Sequence, residues 1–192
     1  MTFRKPYKDF AKIINRYWTM YGGWRAFYTS IYLHISLILL ALTGPLWLSL
    51  NNFWWNDVLS VLPNLLGFTL GGFAIFISFG NDDFKAFISG TDPDENGKKS
   101  PFMGVCATFL HFVLVQFLAL FTAIVCKAVW AWSQFLPCIP IIETFITPLR
   151  MIGWAFCYWL FLYGLMLIAA AALAIFRLAT WYDDFQSSNR SK

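Results

Sequence analysis

Four long runs of apolar residues without charges define the layout of this chain. They cover about residues 31–50, 58–79, 102–126 and 151–176. Each run is long enough for a helix that crosses the hydrocarbon core of a bilayer, which takes about 20 residues. Strands of a membrane barrel would instead alternate apolar and polar residues over short segments. The pattern predicts an all-α membrane protein, with a four-helix transmembrane domain over residues 30–185.

A different periodicity precedes the first run. From Tyr7 to Tyr21, apolar and aromatic residues recur at helical spacing on one face, and basic residues take the opposite face. Such a helix lies in the headgroup plane, held by apolar burial and by anionic lipid; docking on a cytosolic partner is the alternative. Gly22 and Gly23 are predicted to end it. The candidate residues for membrane-surface binding are Lys8, Phe10, Lys12, Ile14, Arg16, Tyr17 and Trp18.

The basic residues are distributed unevenly along the chain. Of the 14 lysine and arginine residues, six lie before the first run, three lie between the second and third runs, and three lie in the C-terminal tail. Because positively charged flanks resist translocation, residues 1–29 and 186–192 are both predicted to be cytoplasmic. The composition agrees with a membrane location, since only 12% of the residues are charged, about half the share in soluble domains.

The second run carries small residues on one helical face. Gly67 and Gly71 form a G-x-x-x-G pair within it. In lipid, close packing through small residues drives helices together, because no hydrophobic effect does so. We predict that this face packs against another helix, either in the same chain or in a second copy. The candidate interface residues are Asn64, Gly67, Gly71, Ala74 and Ser78.

Polar residues inside apolar spans are candidates for function by default. Here they are His34, His111 and Gln116. A pair of His34 and His111 would be able to relay protons or sense pH, whereas Gln116 falls on another face of its helix. Hydrogen bonding between helices is the structural alternative, and it is the one that we favour.

The sequence contains no pattern typical of a metal or cofactor site. The cysteines lack metal-ligand spacing, and a disulfide between Cys126 and Cys138 is the pairing considered. Asp92 and Asp94 begin a stretch similar to the first half of a calcium loop, but Met103 occupies the position of the bidentate glutamate. Turn chemistry therefore explains these aspartates better.

The predicted cytoplasmic segments hold the polar residues available to a partner. Two acidic pairs, Asp82–Asp83 and Asp183–Asp184, follow the second and fourth runs and would form an acidic rim that attracts cations or a basic protein. Solvated charge at helix ends is the alternative. The candidate docking residues are Asp82, Asp83, Lys85, Asp92, Asp94, Lys98, Lys99, Arg177, Asp183 and Asp184.

This layout, together with the segment LLGFTLGGFAIFISFGNDDF over residues 65–84, resembles the KwaA family, the membrane subunits of the bacterial Kiwa anti-phage defence system. The resemblance implies a homotetramer in the inner membrane that senses phage attachment or injection. It also implies a cytosolic DNA-binding partner, KwaB, held against the inner face. It implies no catalytic residue, cofactor or direct nucleic-acid binding on this chain, so we do not expect an enzyme.

A small oligomeric ion channel is the alternative function. Its pore would be lined by weakly polar helix faces, for which Thr108, His111, Gln116 and Thr122 are the candidates. A channel also needs a selectivity element, and no filter sequence is recognisable in the chain. Ion flux through liposomes that contain only this protein would distinguish the two functions.

Overall fold

The computed structural model describes residues 4–49, 52–78, 80, 82–89, 100–135 and 140–190. Within these ranges the chain forms helices and no strand, which confirms the predicted all-helical class. The helices are α1 (Arg4–Tyr21), α2 (Gly23–Tyr28), α3 (Ile31–Leu42), α4 (Gly44–Leu48), α5 (Trp55–Ser78), α6 (Asp82–Ile88), α7 (Pro101–Ser133) and α8 (Pro140–Arg190). The predictions for Asp92, Asp94, Lys98, Lys99 and Cys138 lie outside the described residues.

In the described part of the chain, three helices are long and apolar enough to cross a membrane. They are α5, α7 and the part of α8 over Thr147–Arg190. These helices contain the second, third and fourth predicted spans, apart from the final residue of the second. Because α7 has 33 residues and α8 has 51, they are about 50 and 76 Å long and extend beyond a hydrocarbon core of about 30 Å. We conclude that the chain is a membrane protein.

The first predicted span is interrupted. Helix α3 ends at Leu42 and α4 begins at Gly44, because Pro45 has no backbone N–H with which to continue the helix. Trp47 Nε1 donates a hydrogen bond to the carbonyl oxygen of Leu40 at 3.0 Å. That bond satisfies a carbonyl group near the break, as the interior of a bilayer requires. The prediction of one continuous helix over residues 31–50 is therefore wrong.

Helix α1 ends before the glycine pair, as the sequence predicts: Gly22 separates it from α2, and Gly23 is the first residue of α2. Both have positive φ, at 112° and 64°, a backbone region that glycine enters at little cost. A Cβ atom at Gly22 would lie only 2.8 Å from the Cβ of Ala26. Glycine at this position is therefore required both by the backbone conformation and by the close approach of α2.

The chain divides into two compact units. The first contains residues 1–30, 71–111 and 170–192, and the second contains residues 31–70 and 112–169. In the first unit, aromatic rings of α5 and α7 stack with centroids 5.4 to 6.2 Å apart. The stacked residues are Phe73, Phe76, Phe102 and Phe109.

The core of the second unit is built around two adjacent tryptophans at the start of α5. The ring of Trp54 lies 5.7 Å from that of Tyr158, and the ring of Trp55 lies 5.9 Å from that of Trp154. Both tryptophans are buried, as are Val58 and Leu62 on the following turns and Ala119 and Ala123 on α7. Small residues on α7 and large ones on α5 and α8 therefore form one packed cluster.

Candidate functional site

The acidic candidates lie on two helices that pack against each other in the first unit. Phe84 of α6 is fully buried, and its ring lies 5.0 Å from that of Tyr182 and 5.6 Å from that of Phe185, both on α8. Because Phe84 directly follows Asp82–Asp83 and Tyr182 directly precedes Asp183–Asp184, this contact brings the two acidic pairs onto neighbouring segments. All four carboxylate side chains are exposed.

The direction of α6 depends on Gly80. This residue has φ = +82°, and a Cβ atom there would lie 2.6 Å from Cδ1 of Phe84. Only glycine permits both this backbone conformation and the position of the ring above it. Gly80 thereby places α6, together with its acidic pair, against α8.

The remaining described docking candidates lie close to these acids in sequence. Lys85 is partly buried on α6, and Arg177 is exposed on α8 with its guanidinium carbon 5.4 Å from the ring centroid of Trp181. The arginine side chain therefore covers an aromatic surface, as cation–π pairs do.

A cavity of about 620 Å³ lies between α6, the start of α7 and the end of α8. Most of its wall is apolar, and Asp184 adds a carboxylate. We call it the α6–α8 groove; it is lined by Phe87, Ile88, Pro101, Trp181, Asp184, Phe185, Ser188 and Asn189. An apolar groove beside exposed carboxylates has the chemistry to bind a segment that presents an apolar side chain flanked by basic residues.

Helix α1 is fastened to α7 at its C-terminal end. The hydroxyl of Tyr17 and Nδ1 of the buried His111 share a hydrogen bond of 2.7 Å, and the ring of Tyr21 stacks on the imidazole with centroids 4.1 Å apart. Burial raises the pKa of the Tyr17 phenol, so this hydroxyl keeps its proton at physiological pH. His111 thus anchors the N-terminal helix.

The membrane-surface candidates on α1 fall into two groups. Tyr17 and Trp18 are partly buried, because they pack with the chain itself. The others are exposed: Lys8, Phe10, Lys12, Ile14 and Arg16. The apolar face of α1 is therefore used at its last turn and open along its first turns, where lipid or a partner would cover it.

We expect Tyr17→Phe to loosen α1. The substitution removes the hydroxyl bonded to His111 and keeps the ring, at a cost of about 0.5 to 1.5 kcal/mol for a typical hydrogen bond. Hydrogen exchange of the α1 amides should accelerate about two- to tenfold, which is the same free energy expressed as a ratio.

Tyr7→Phe is the matched control, since Tyr7 is an exposed tyrosine on the same helix. Its exchange should equal that of the wild-type chain. Equal exchange in both variants would show that the bond to His111 does not hold α1.

Gln116 forms the hydrogen bond between helices that we favoured for the buried polar residues. Its amide oxygen and nitrogen both lie 3.2 Å from the hydroxyl oxygen of Thr69 on α5, and both side chains are buried. His34, by contrast, is exposed on α3. Sequence reasoning missed Ser36, which is fully buried and accepts a 3.0 Å hydrogen bond from Nε1 of Trp159; its position inside an apolar run was the available signal.

The small-residue face of α5 is open in the single chain. Its members are all exposed: Asn64, Gly67, Gly71, Ala74 and Ser78. A Cβ atom at Gly67 or Gly71 would have no described atom within 4 Å. Only 17% of the apolar part of α5 is buried in the single chain, compared with 50% of that of α8. The face is therefore available for contact with a second copy, and that contact stays a prediction.

Cys126 lies beside another cysteine. The Sγ atoms of Cys126 and Cys157 lie 3.3 Å apart, and both residues are free thiols. Cys126 therefore has a described neighbour on α8, while its pairing with Cys138 stays an untested prediction.

Comparison of the chain with protein-family models, with curated proteins and with solved structures found no match. The resemblance to the KwaA family therefore depends on the layout and on residues 65–84.

Proposed function

We propose that this chain is a membrane-embedded sensor and anchoring subunit of an anti-phage defence complex. It assembles as an oligomer, a homotetramer in the family that it resembles, and holds a cytosolic DNA-binding effector at the bacterial inner membrane. The α6–α8 groove carries the proposal, since it joins an apolar cavity to exposed carboxylates in a segment predicted to be cytoplasmic.

The proposed topology has four crossings, with both termini in the cytoplasm and the pair α3–α4 as the first crossing. Helix α1, helix α6 and the end of α8 belong to the same compact unit, which supports placing them on one side. The charge distribution supports the same side for all three, because basic flanks stay cytoplasmic.

The basic surface of a DNA-binding effector is complementary to an acidic docking site. Proteins that bind DNA carry basic surfaces, since neutralising phosphates supplies most of their affinity. Exposed carboxylates attract such a surface and orient it. An apolar cavity beside them can accept an anchoring side chain, which is where binding energy concentrates.

Neutralising the acidic pairs should release the partner. We expect the chain purified in mild detergent from its native gene neighbourhood to carry one stoichiometric soluble protein. The variant with Asp82, Asp83, Asp183 and Asp184 changed to asparagine should bind it at least tenfold more weakly. Wild-type binding should also weaken steeply with salt, as surface electrostatics does. Mass spectrometry of the complex and titration of the purified partner measure both effects.

Asp57→Asn is the matched control, because Asp57 is an exposed carboxylate on α5 in the other unit. It should retain the partner. Equal capture by the fourfold variant and the wild type, or the absence of any stoichiometric companion, would contradict the anchoring function.

The channel alternative receives less support. Gln116 is buried and bonded to Thr69, and the hydroxyls of Thr108 and Thr122 donate to backbone carbonyl oxygens of their own helix. Groups engaged in this way are poor candidates for lining a wet pore, which needs polar groups that face water.

A further inference from the structure

A second cavity, of about 280 Å³, lies in the other unit between the end of α7 and the start of α8. Its wall is almost entirely apolar, and Arg150 is the charged residue among those that line it. Val129 and Leu149, on opposite sides, are 58% and 69% exposed. The cavity therefore opens on the outer surface of two helices that are apolar enough to cross a bilayer.

The guanidinium of Arg150 is held by two indole rings. Its Cζ atom lies 5.9 Å from the ring centroid of Trp130 and 5.4 Å from that of Trp154, which is the distance range of cation–π contacts. These rings fix the position of the charge, but they offer no oxygen acceptor to its N–H groups.

Nε of Arg150 is buried and has no hydrogen-bond partner in the described part of the chain. None of the described carboxylates forms an ion pair with it. A buried donor without an acceptor costs about 1 to 3 kcal/mol, and more when it is charged. An anionic oxygen that enters the cavity would remove this cost, so the site favours a negatively charged ligand.

We propose that this cavity binds an anionic phospholipid, with its phosphate on Arg150 and an acyl chain against Val125, Val129 and Leu149. The planar donors of arginine match phosphate oxygens. Arg150 directly precedes the fourth apolar run, residues 151–176, and a charge at the end of a span lies near the lipid headgroups. The flanking tryptophans are typical of the same interface.

The apolar walls distinguish a lipid from a free anion. Inorganic phosphate would contact Arg150 and leave the rest of the cavity empty, whereas an acyl chain would fill it. The proposal concerns a different unit from the α6–α8 groove, and it does not depend on the anchoring function.

The test uses the full chain, stripped of lipid in detergent and titrated with dioleoyl phosphatidylglycerol. Native mass spectrometry counts the bound lipid. We expect one protected lipid per chain, and at least tenfold weaker binding by Arg150→Gln. Gly153→Leu should weaken binding comparably and keep the charge, because Gly153 lines the cavity and has no described atom within 4 Å of a Cβ position.

Lys127→Gln is the control. Lys127 is exposed on α7, its Nζ lies 3.5 Å from Oδ1 of Asn56, and it does not line the cavity. The Lys127→Gln variant should bind the lipid with the affinity of the wild-type chain. Each variant is first shown to keep the wild-type elution volume and helical circular dichroism.

Two further arms separate the sources of the phosphate. Millimolar inorganic phosphate should not displace the lipid, and dioleoylglycerol, which has the chains without the phosphate, should bind weakly. Displacement by inorganic phosphate would overturn the lipid assignment in favour of a free anion. Unchanged lipid binding in both Arg150→Gln and Gly153→Leu would overturn the site itself.

A last arm concerns Glu143, which lies seven residues before Arg150 on α8 and whose side chain is outside the described part. Glu143→Gln should leave lipid affinity unchanged. A marked rise in affinity would mean that Glu143 occupies the guanidinium, and it would overturn the assignment of a vacant donor.

Discussion

The double variant Gly67→Leu and Gly71→Leu should separate the assembled protein into single chains that keep their fold. A Cβ atom at either position has no described atom within 4 Å, so the leucines project from the chain without displacing a neighbour. Between two copies, the same side chains would prevent the backbone approach on which association in lipid depends. Mass photometry or analytical ultracentrifugation in detergent measures the mass, and thermal unfolding measures the fold.

Gly164→Leu should instead destabilise the fold of the single chain. Gly164 is buried on α8, and a Cβ atom there would lie 3.5 Å from Cγ of Gln116 and 3.9 Å from Cδ2 of Leu62. The remaining carbons of leucine would have no room, and overpacking costs about 1 to 3 kcal/mol.

If instead the variant at Gly67 and Gly71 lost its fold, or kept the wild-type mass, the small-residue face would not be an interface.

Phe84→Ala should detach α6 from α8. The ring is fully buried against Tyr182 and Phe185, and truncating a buried phenylalanine costs about 3 to 5 kcal/mol. Helix α6 has only seven residues, and isolated helices of this length are marginally stable. Without the packing energy of Phe84, α6 should therefore not stay folded against α8. Limited proteolysis between α5 and α7 should accelerate at least a hundredfold, and capture of the partner should be lost with it.

Phe87→Ala is the control. Phe87 is on the same helix and its ring lies 5.3 Å from that of Phe185, but it is 68% exposed. The Phe87→Ala variant should be cleaved at a rate near that of the wild-type chain. Equal proteolysis of the two variants would contradict the role of Phe84 as the anchor of α6.

The positions of the long helices could be predicted from the sequence, but the break in the first span could not. Uncharged apolar runs give spans directly, because a bilayer tolerates little else. Proline was ambiguous: Pro45 ends α3, whereas Pro63 and Pro148 lie inside α5 and α8. Whether a helix can break at a proline inside a bilayer depends on whether other groups satisfy the carbonyl oxygens left without a partner. Near Pro45, Nε1 of Trp47 donates to the carbonyl oxygen of Leu40, and the presence of such a donor is a matter of tertiary structure.

The candidate site was predicted in part for a similar reason. The apolar runs show that each acidic pair follows a span, but the contact between their segments depends on the positive φ of Gly80 and the burial of Phe84. Arg150 appears in the sequence as a cation at a span end. Its position between Trp130 and Trp154 joins residues of two helices, and no local pattern indicates it.

The attachment of α1 at one end has a mechanical consequence. With Gly22 as the fulcrum, the ring of Tyr7 is about 22 Å away along the helix and that of Tyr17 is about 7 Å away. A force on the free end is therefore multiplied about threefold at the bond to His111, and the displacement is reduced by the same ratio. Lipid or a partner that covers the open apolar tip of α1 would therefore act on the long arm of this lever. A force on that tip would be transmitted to α7 through the contacts of Tyr17 and Tyr21 with His111.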